Sequence, residues 1–301
     1  MVLVFLSYAL LASGIVTNKI LLQIVPPTLL VGIRMLAAGM ILLATYFRSH
    51  RLHWRYLKED AYILTIITLF TTLIPALLKA FALKYLVASK AALIGSIDPF
   101  VTALYVWILW HEKLSLTKLV GILIGLSGVT FSIVATGSIK ETMLGWAVFS
   151  LPEMAQIAAI FFGRYGWILV QDLLRKHRYM PAEINGITML SSGLIALIYS
   201  VTTEPIALLA PCCPWKLAGL MAYTTIFGTV FGYTVYATML KRHNATFMSL
   251  AGFSIPLFVS LLGWVFLNEK ITLNFLIAAF LIFIGLIVFY WDELGKKKQI
   301  I

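Results

Sequence analysis

The sequence predicts an all-α membrane protein in which ten transmembrane helices form two inverted five-helix repeats around a central cavity. Three observations lead to this prediction: an apolar composition, apolar stretches of roughly 20 residues along the whole chain, and a five-span pattern that occurs twice. Of the 301 residues, 61% are hydrophobic and 12% are charged, and the mean hydropathy is +0.97. A soluble domain cannot bury that much apolar surface, so the bilayer is the expected solvent.

Each apolar stretch can cross about 30 Å of hydrocarbon as a helix rising about 1.5 Å per residue. The first stretch contains one cation, Lys19, near its far end, whereas a signal peptide begins with basic residues, so we expect it to remain as a helix. The predicted spans cover residues 3–24, 28–47, 61–83, 87–110, 116–136, 143–171, 183–202, 215–238, 245–267 and 271–291.

The net charge of +11 could suggest nucleic-acid binding, but the cations lie between the spans and not on one soluble face. We therefore expect no nucleic-acid partner. The positive-inside rule places the basic loops, and with them both termini, in the cytoplasm. We expect the membrane to be a bacterial inner (plasma) membrane. The basic residues that follow spans 2, 4, 6, 8 and 10 are Arg48, Arg51, Arg55, Lys58, Lys113, Lys118, Arg175, Lys176, Arg178, Lys241, Arg242, Lys296, Lys297 and Lys298.

The second half of the chain repeats the pattern of the first half. Moving "IGSIDPFVTALYVWILWHEKLS" (94–115) forward by 157 positions aligns it with "AGFSIPLFVSLLGWVFLNEKIT" (251–272), so that the prolines and the Glu-Lys pairs coincide. A shift of 154 aligns "PTLLVGIRMLAAG" (27–39) with "PAEINGITMLSSG" (181–193). Five spans is an odd number, so the two copies cross the membrane in opposite senses.

We assign residues 1–138 to the first repeat and 139–301 to the second, which ends in a short basic cytoplasmic tail. Inverted repeats are typical of carriers in which one half rocks against the other about a central site. A duplicated scaffold without a transport role is the alternative.

With ten spans, two repeats, and a proline-containing fourth span in each repeat that ends in a Glu-Lys turn, the sequence resembles the EamA-type branch of the drug/metabolite transporter superfamily. The resemblance covers essentially the whole chain. It implies a secondary carrier with a central cavity between the repeats. Members of this family move amino acids, nucleotide conjugates and other small metabolites.

Two acids lie inside predicted spans, where a charge at the bilayer centre costs about 2.5–3.5 kcal/mol. Asp98 is about eleven residues into span 4 and Glu153 about ten into span 6, so both are expected near the midplane, each beside a kinking proline. Asp98 could form an ion pair with Lys79 or Lys90, or contact the substrate. Glu153 could bind a substrate ammonium group or carry a proton.

The cations inside the spans differ in depth. Lys19, Lys79 and Lys90 lie in the predicted outer half, where long side chains can snorkel to the headgroups. Arg34 lies deeper, which favours a functional role. Arg164, in "GRYG", lies near the predicted cytoplasmic boundary and suggests an inner gate.

The first repeat carries most of these ionic groups, whereas their counterparts in the second are aromatic, polar or apolar. Such a cavity would suit a zwitterion with a planar body, its carboxylate held by Arg34 or Lys79 and its amine by Asp98 or Glu153. The ring would pack on Tyr105, Tyr233 and Tyr236. Within the family that we infer by resemblance, aromatic amino acids and S-adenosylmethionine or S-adenosylhomocysteine meet this description.

Other functions stay open at this level. An exporter of cationic or apolar compounds would need the two acids but not Arg34. An intramembrane enzyme or receptor is disfavoured, because the chain contains no His-Glu-x-x-His or Gly-x-Ser-x-Gly motif. We expect no cofactor or metal; the partners would be a small-molecule substrate, the lipid bilayer, and a coupling proton or counter-substrate. The motifs "GILIG" (121–125) and "GTVFG" (228–232) predict close helix packing.

Overall fold

The computed structural model describes residues 2–48, 54–111, 115–135, 150–175, 179–203, 214–232 and 252–291. Within these ranges the regular structure is helical throughout. The α-helices are α1 Val2–Leu21, α2 Pro27–Phe47, α3 Trp54–Glu59, α4 Ala61–Ile67, α5 Ile74–Tyr85, α6 Ala88–Gly95, α7 Asp98–Trp110, α8 Leu116–Ala135, α9 Leu151–Arg175, α10 Pro181–Thr203, α11 Pro214–Tyr223, α12 Ser254–Leu267 and α13 Leu273–Phe289. Two π-helical segments, which we call π1 (Thr68–Leu73) and π2 (Thr224–Phe231), continue α4 into α5 and extend α11.

Five helical stretches in the described ranges are long and apolar enough to cross a membrane. Every predicted span overlaps a helix of the structure, which confirms the all-α membrane class, while the number of helices that cross the bilayer stays a prediction. The five stretches are Pro27–Phe47, Ala61–Tyr85, Ala88–Leu109, Leu116–Val134 and Ala182–Thr203, and shorter apolar helices cover Phe5–Leu21, Ser254–Leu267 and Leu273–Phe289.

Equivalent helices of the two halves pack directly against each other. Helix α2 lies against α10, and α8 lies against α13. The α2–α10 contact is symmetric, because Gly39 faces the backbone of Leu190 and Gly193 faces the backbone of Leu36, so that a Cβ on either glycine would overlap main-chain atoms. Glycine at these two positions allows the helix backbones to touch.

The first long helix of each half packs against elements of the opposite half. Helix α1 contacts π2 and α12, whereas α9 contacts π1, α5, α6 and α7. Small residues again allow the approach, since Gly14 lies against Gly228 of π2. The "GILIG" and "GTVFG" motifs therefore do pack closely, the former through Gly121 and Gly125 against Gly285.

The two halves share local structure at positions 157 residues apart. Segment π1 matches residues 225–230 of π2 in this register, and the break between α6 and α7 matches the turn before α12. The helix-ending residues His111 and Asn268 also match, with φ angles of 53° and 55°. These features show that equivalent sequences fold alike in both halves.

The apolar core lies along the interface between the halves. Its largest fully buried side chains include Leu30, Leu93, Ile133 and Ile282. A second, smaller cluster joins α4, α9 and α10. Large apolar side chains that face outward, such as Phe280 of α13, suit a lipid environment.

Candidate functional site

The predicted fourth span is a broken helix. Helix α6 ends at Gly95, residues Ser96 and Ile97 form a tight turn, and α7 begins at Asp98. Pro99 has no backbone N–H to donate and is well suited to the first turn of a helix, so it starts α7 at this point. Broken helices in transporters expose backbone groups and helix ends to a binding site near the bilayer centre.

Asp98 forms an ion pair with Arg164 of α9. The side chains are 33% and 31% exposed, respectively, so solvent or a solute can reach both charges. Asp98 follows the start of α6 by ten residues, and its depth near the bilayer centre stays a prediction. The observed partner differs from the candidates Lys79 and Lys90, and Arg164 lies at the helix break.

Aromatic rings meet between the two helices that carry this ion pair, α7 and α9. The hydroxyl of Tyr105 donates to the carbonyl of Phe161 at 3.2 Å, and its ring centroid is 6.0 Å from that of Tyr165. The ring of Tyr165 also meets that of Phe70, in π1, edge to face at 5.4 Å. Tyr165 and Phe70 are absent from the sequence-predicted site, although Tyr165 directly follows Arg164 in the chain.

A second ion pair joins the same two spans, but it is buried. The Lys90 ammonium lies 2.5 Å from Glu153 Oε1, with exposures of 7% and 0%. Glu153 Oε2 accepts from the Ser150 N–H at 2.7 Å, and Gln156 Nε2 donates to the Ala91 carbonyl at 3.0 Å. The ion pair and the Gln156 hydrogen bond hold α6 against α9.

The predicted position of Glu153 in the middle of its helix is wrong. Helix α9 begins at Leu151, so Glu153 lies in its first turn and pairs with Lys90 in the first turn of α6. The physical reason is that Pro152 starts this helix and does not kink its middle. Lys90 forms a buried pair rather than snorkelling to the headgroups.

The other predicted site residues are more dispersed. Arg34 lies half-buried in α2, and Lys79 is exposed on α5. Tyr233 and Tyr236 lie outside the described residues. In the described ranges no three His, Cys, Asp or Glu side chains group together as a metal site would require. Of the predicted residues, Asp98 and Tyr105 both lie on α7 and contact α9, where their partners are Arg164 and Tyr165, respectively.

An apolar helical bundle with a broken helix and an accessible ion pair at the break is typical of membrane transporters. The chain belongs to the EamA-like transporter family, whose model matches residues 1–134 and 154–291. It is therefore an integral membrane protein that transports a small molecule.

Relatives align with much or nearly all of the chain. The S-adenosylmethionine/S-adenosylhomocysteine transporter of Chlamydia trachomatis serovar L2 is 26% identical, over 97% of this chain and 89% of its own length. The transporter of the same name from Chlamydia muridarum is 25% identical, over 97% and 91%. Protein PecM of Dickeya dadantii is 26% identical over 73% of this chain and 70% of its own. A solved crystal structure with 19% identity and a TM-score of 0.66 covers 99% of this chain and 98% of its own, which shows the shared fold.

Proposed function

We propose that this protein exchanges adenosyl amino acids, of the S-adenosylmethionine and S-adenosylhomocysteine type, across a bacterial plasma membrane by alternating access. The observation that carries the proposal is the Asp98–Arg164 pair at the helix break, about one-third exposed. The names of the Chlamydia relatives, which match 97% of the chain, support the substrate class.

The ion pair is complementary to the amino-acid part of such a substrate. A guanidinium group binds a carboxylate through two parallel hydrogen bonds, and a carboxylate binds an ammonium group. We therefore assign the substrate carboxylate to Arg164 and its ammonium group to Asp98. When the site is empty the two side chains neutralise each other, which avoids an unpaired charge within the membrane.

The rings between α7 and α9 suit the adenosyl part. Tyr105 and Tyr165 offer aromatic edges and faces on the two helices that carry the ion pair, and stacked or edge-to-face pairs add about 0.5–1.5 kcal/mol beyond their area burial. A sulfonium cation would also be attracted to an aromatic face. Because the zwitterion and the adenosyl group are common to both compounds, a site that contacts these parts can exchange one for the other.

We also propose roles for the other residues that the sequence predicts near the transport path. Arg34 and Lys79 would line the path in α2 and α5, and Tyr233 and Tyr236 would supply the π-rich wall of the second repeat. For Glu153 we propose a role in holding α6 against α9, since both of its oxygens are engaged. A cytoplasmic position for both termini and a division into repeats 1–138 and 139–301 complete the proposed arrangement.

The test is uptake of labelled S-adenosylmethionine into proteoliposomes loaded with S-adenosylhomocysteine. Arg164→Gln and Asp98→Asn should each reduce uptake roughly 10- to 100-fold, the loss expected for one charge-assisted hydrogen bond. Arg164→Lys should recover only part, because it loses the planar fork. Lys58→Gln, an exposed site on α3, is the matched control.

Unchanged uptake by both Arg164→Gln and Asp98→Asn would contradict the assignment of these residues to the substrate site. Absence of uptake by the wild-type protein under any loading would overturn the substrate class. Sensitivity to Asp98→Asn but not to Arg164→Gln would instead favour the alternative function, an exporter of cationic or apolar compounds.

A further inference from the structure

The turn between α5 and α6 is held by a lysine from another helix. The Lys19 ammonium group, near the end of α1, donates to the carbonyls of Leu83 at 2.8 Å, Lys84 at 3.0 Å and Leu86 at 2.7 Å. The last carbonyls of a helix have no partner within the helix, and a cation there also interacts favourably with the helix dipole. Lys19 thus caps the end of α5.

A glutamate from the opposite half caps the start of the next helix. Glu269 accepts from the Ala88 N–H at 2.7 Å and from the Ser89 N–H and hydroxyl at 3.2 Å each. The residue at the usual capping position, Val87, has no side-chain oxygen to offer. The Glu269 carboxylate supplies this cap across about 180 residues of sequence.

The residues around Glu269 position its carboxylate at the start of α6. Asn268 ends α12 with φ 55°, a left-handed conformation that asparagine tolerates better than most residues, and the Glu269 N–H then bonds to the Gly263 carbonyl at 3.1 Å. Gly263 also leaves room for the carboxylate, because a Cβ there would lie 2.9 Å from Glu269 Oε2. Lys19 and Glu269 interact electrostatically across the same turn.

We infer that Glu269 is a positioning residue for transport, whose cap on α6 joins the two repeats and keeps this membrane face closed. The inference rests on the proposed alternating-access function. It follows because α6 leads through the helix break to Asp98, so a cap that fixes α6 also fixes the site. When the path opens on the face where α1 ends, which the positive-inside rule makes external, contacts between the repeats there must break.

The test is the accessibility of one cysteine near the site, in proteoliposomes and without substrate. The background has Cys212→Ser and Cys213→Ser, and the reporter is Ser96→Cys in the helix break. A membrane-impermeant thiol reagent is added from either side. With Glu269→Gln, labelling from the membrane face at which α1 ends should rise about fivefold, which is the population shift expected from the loss of one helix cap. Labelling from the opposite face should fall.

Lys270→Gln, the exposed neighbour on the same turn, should leave both labelling rates unchanged. Glu269→Asp, which keeps the charge on a shorter side chain, should lie between wild type and Glu269→Gln. Each variant is first shown to be folded by its thermal unfolding temperature in detergent, so a labelling change reports conformation and not misfolding.

Equal labelling of wild type and folded Glu269→Gln from both faces would overturn the inference. So would an equal rise from both faces, which would mean general loosening. Because the labelling needs no substrate, this outcome is independent of whether the protein carries adenosyl amino acids. Failure of uptake with normal labelling shifts would therefore reject the substrate proposal and leave the positioning role supported.

Discussion

At the scale of single residues, two ion pairs on the same pair of spans differ in exposure and therefore in role. Lys90–Glu153 is sealed from solvent, whereas Asp98–Arg164 is about one-third exposed. A buried pair cannot exchange partners without exposing an uncompensated charge to a low-dielectric interior. The accessible pair can release its partners to a zwitterionic solute, because the solute brings both opposite charges with it.

This difference predicts opposite results from the same kind of substitution. Lys90→Met or Glu153→Gln alone should lower the free energy of unfolding by about 3–5 kcal/mol, because each leaves its partner buried without compensation. The double variant Lys90→Met/Glu153→Leu should recover most of that loss. Thermal unfolding in detergent measures the effect, with Asp98→Asn as the less destabilising comparison. A double variant as unstable as the singles would contradict this interpretation.

Tyr165 offers a test of how the planar part of the substrate is held. Tyr165→Leu should raise the KM for S-adenosylmethionine about three- to tenfold, the loss of one aromatic pairing, with little change in maximal rate. Tyr165→Phe should retain near wild-type KM, since it keeps the ring. If the two substitutions have the same effect on KM, the hydroxyl or the packing of α9, and not the ring, is what matters.

Part of the site could be predicted from individual residues. Asp98 was predictable because an acid in an apolar span is costly and needs a reason. Its partner Arg164 is 66 residues away, and neither hydropathy nor spacing encodes which cation faces it across two spans. Glu153 was misplaced because a proline next to an acid has two meanings, a kink inside a helix or the first turn of one, and the sequence does not separate them.

At the scale of elements, the repeat explains features that hydropathy alone could not predict. The sequences "TLFTTL" in π1 and "TIFGTV" within π2 match in the 157 register, and both adopt the rare π-helical form. π-helical turns widen a helix locally and occur frequently at functional sites. Their position against α9 and α1, respectively, places irregular backbone where the two halves meet.

The α2–α10 contact gives a direct test of helix packing between the halves. Gly193→Val should lower stability by about 1–3 kcal/mol, the usual cost of overpacking, because the added atoms would overlap the backbone of α2 at Leu36. The neighbouring Leu194→Val is the control, since that side chain is 48% exposed. Thermal unfolding in detergent compares the two. A Gly193→Val protein as stable as the control would show that α2 and α10 separate without cost.

At the scale of the whole molecule, the two halves are interlocked and not merely adjacent. Each half sends its first helix to the third and fourth spans of the other, and the Glu269 cap adds a polar link between them. Rigid halves that share reciprocal contacts can change which face is open by exchanging one set of contacts for its equivalent. The excess of cations in alternate loops predicts which of the two faces is cytoplasmic.

The last prediction concerns that orientation. In the background lacking Cys212 and Cys213, Lys84→Cys at the end of α5 should react with a membrane-impermeant thiol reagent in intact cells. Lys58→Cys on α3 should react only after the membrane is permeabilised, because the two residues flank the same helical span and positive-inside bias places Lys58 in the cytoplasm. Total reactive cysteine in detergent is the control for each variant. Labelling of Lys58→Cys but not Lys84→Cys in intact cells would invert the topology and move the Glu269 cap to the cytoplasmic face, while leaving its contacts as described.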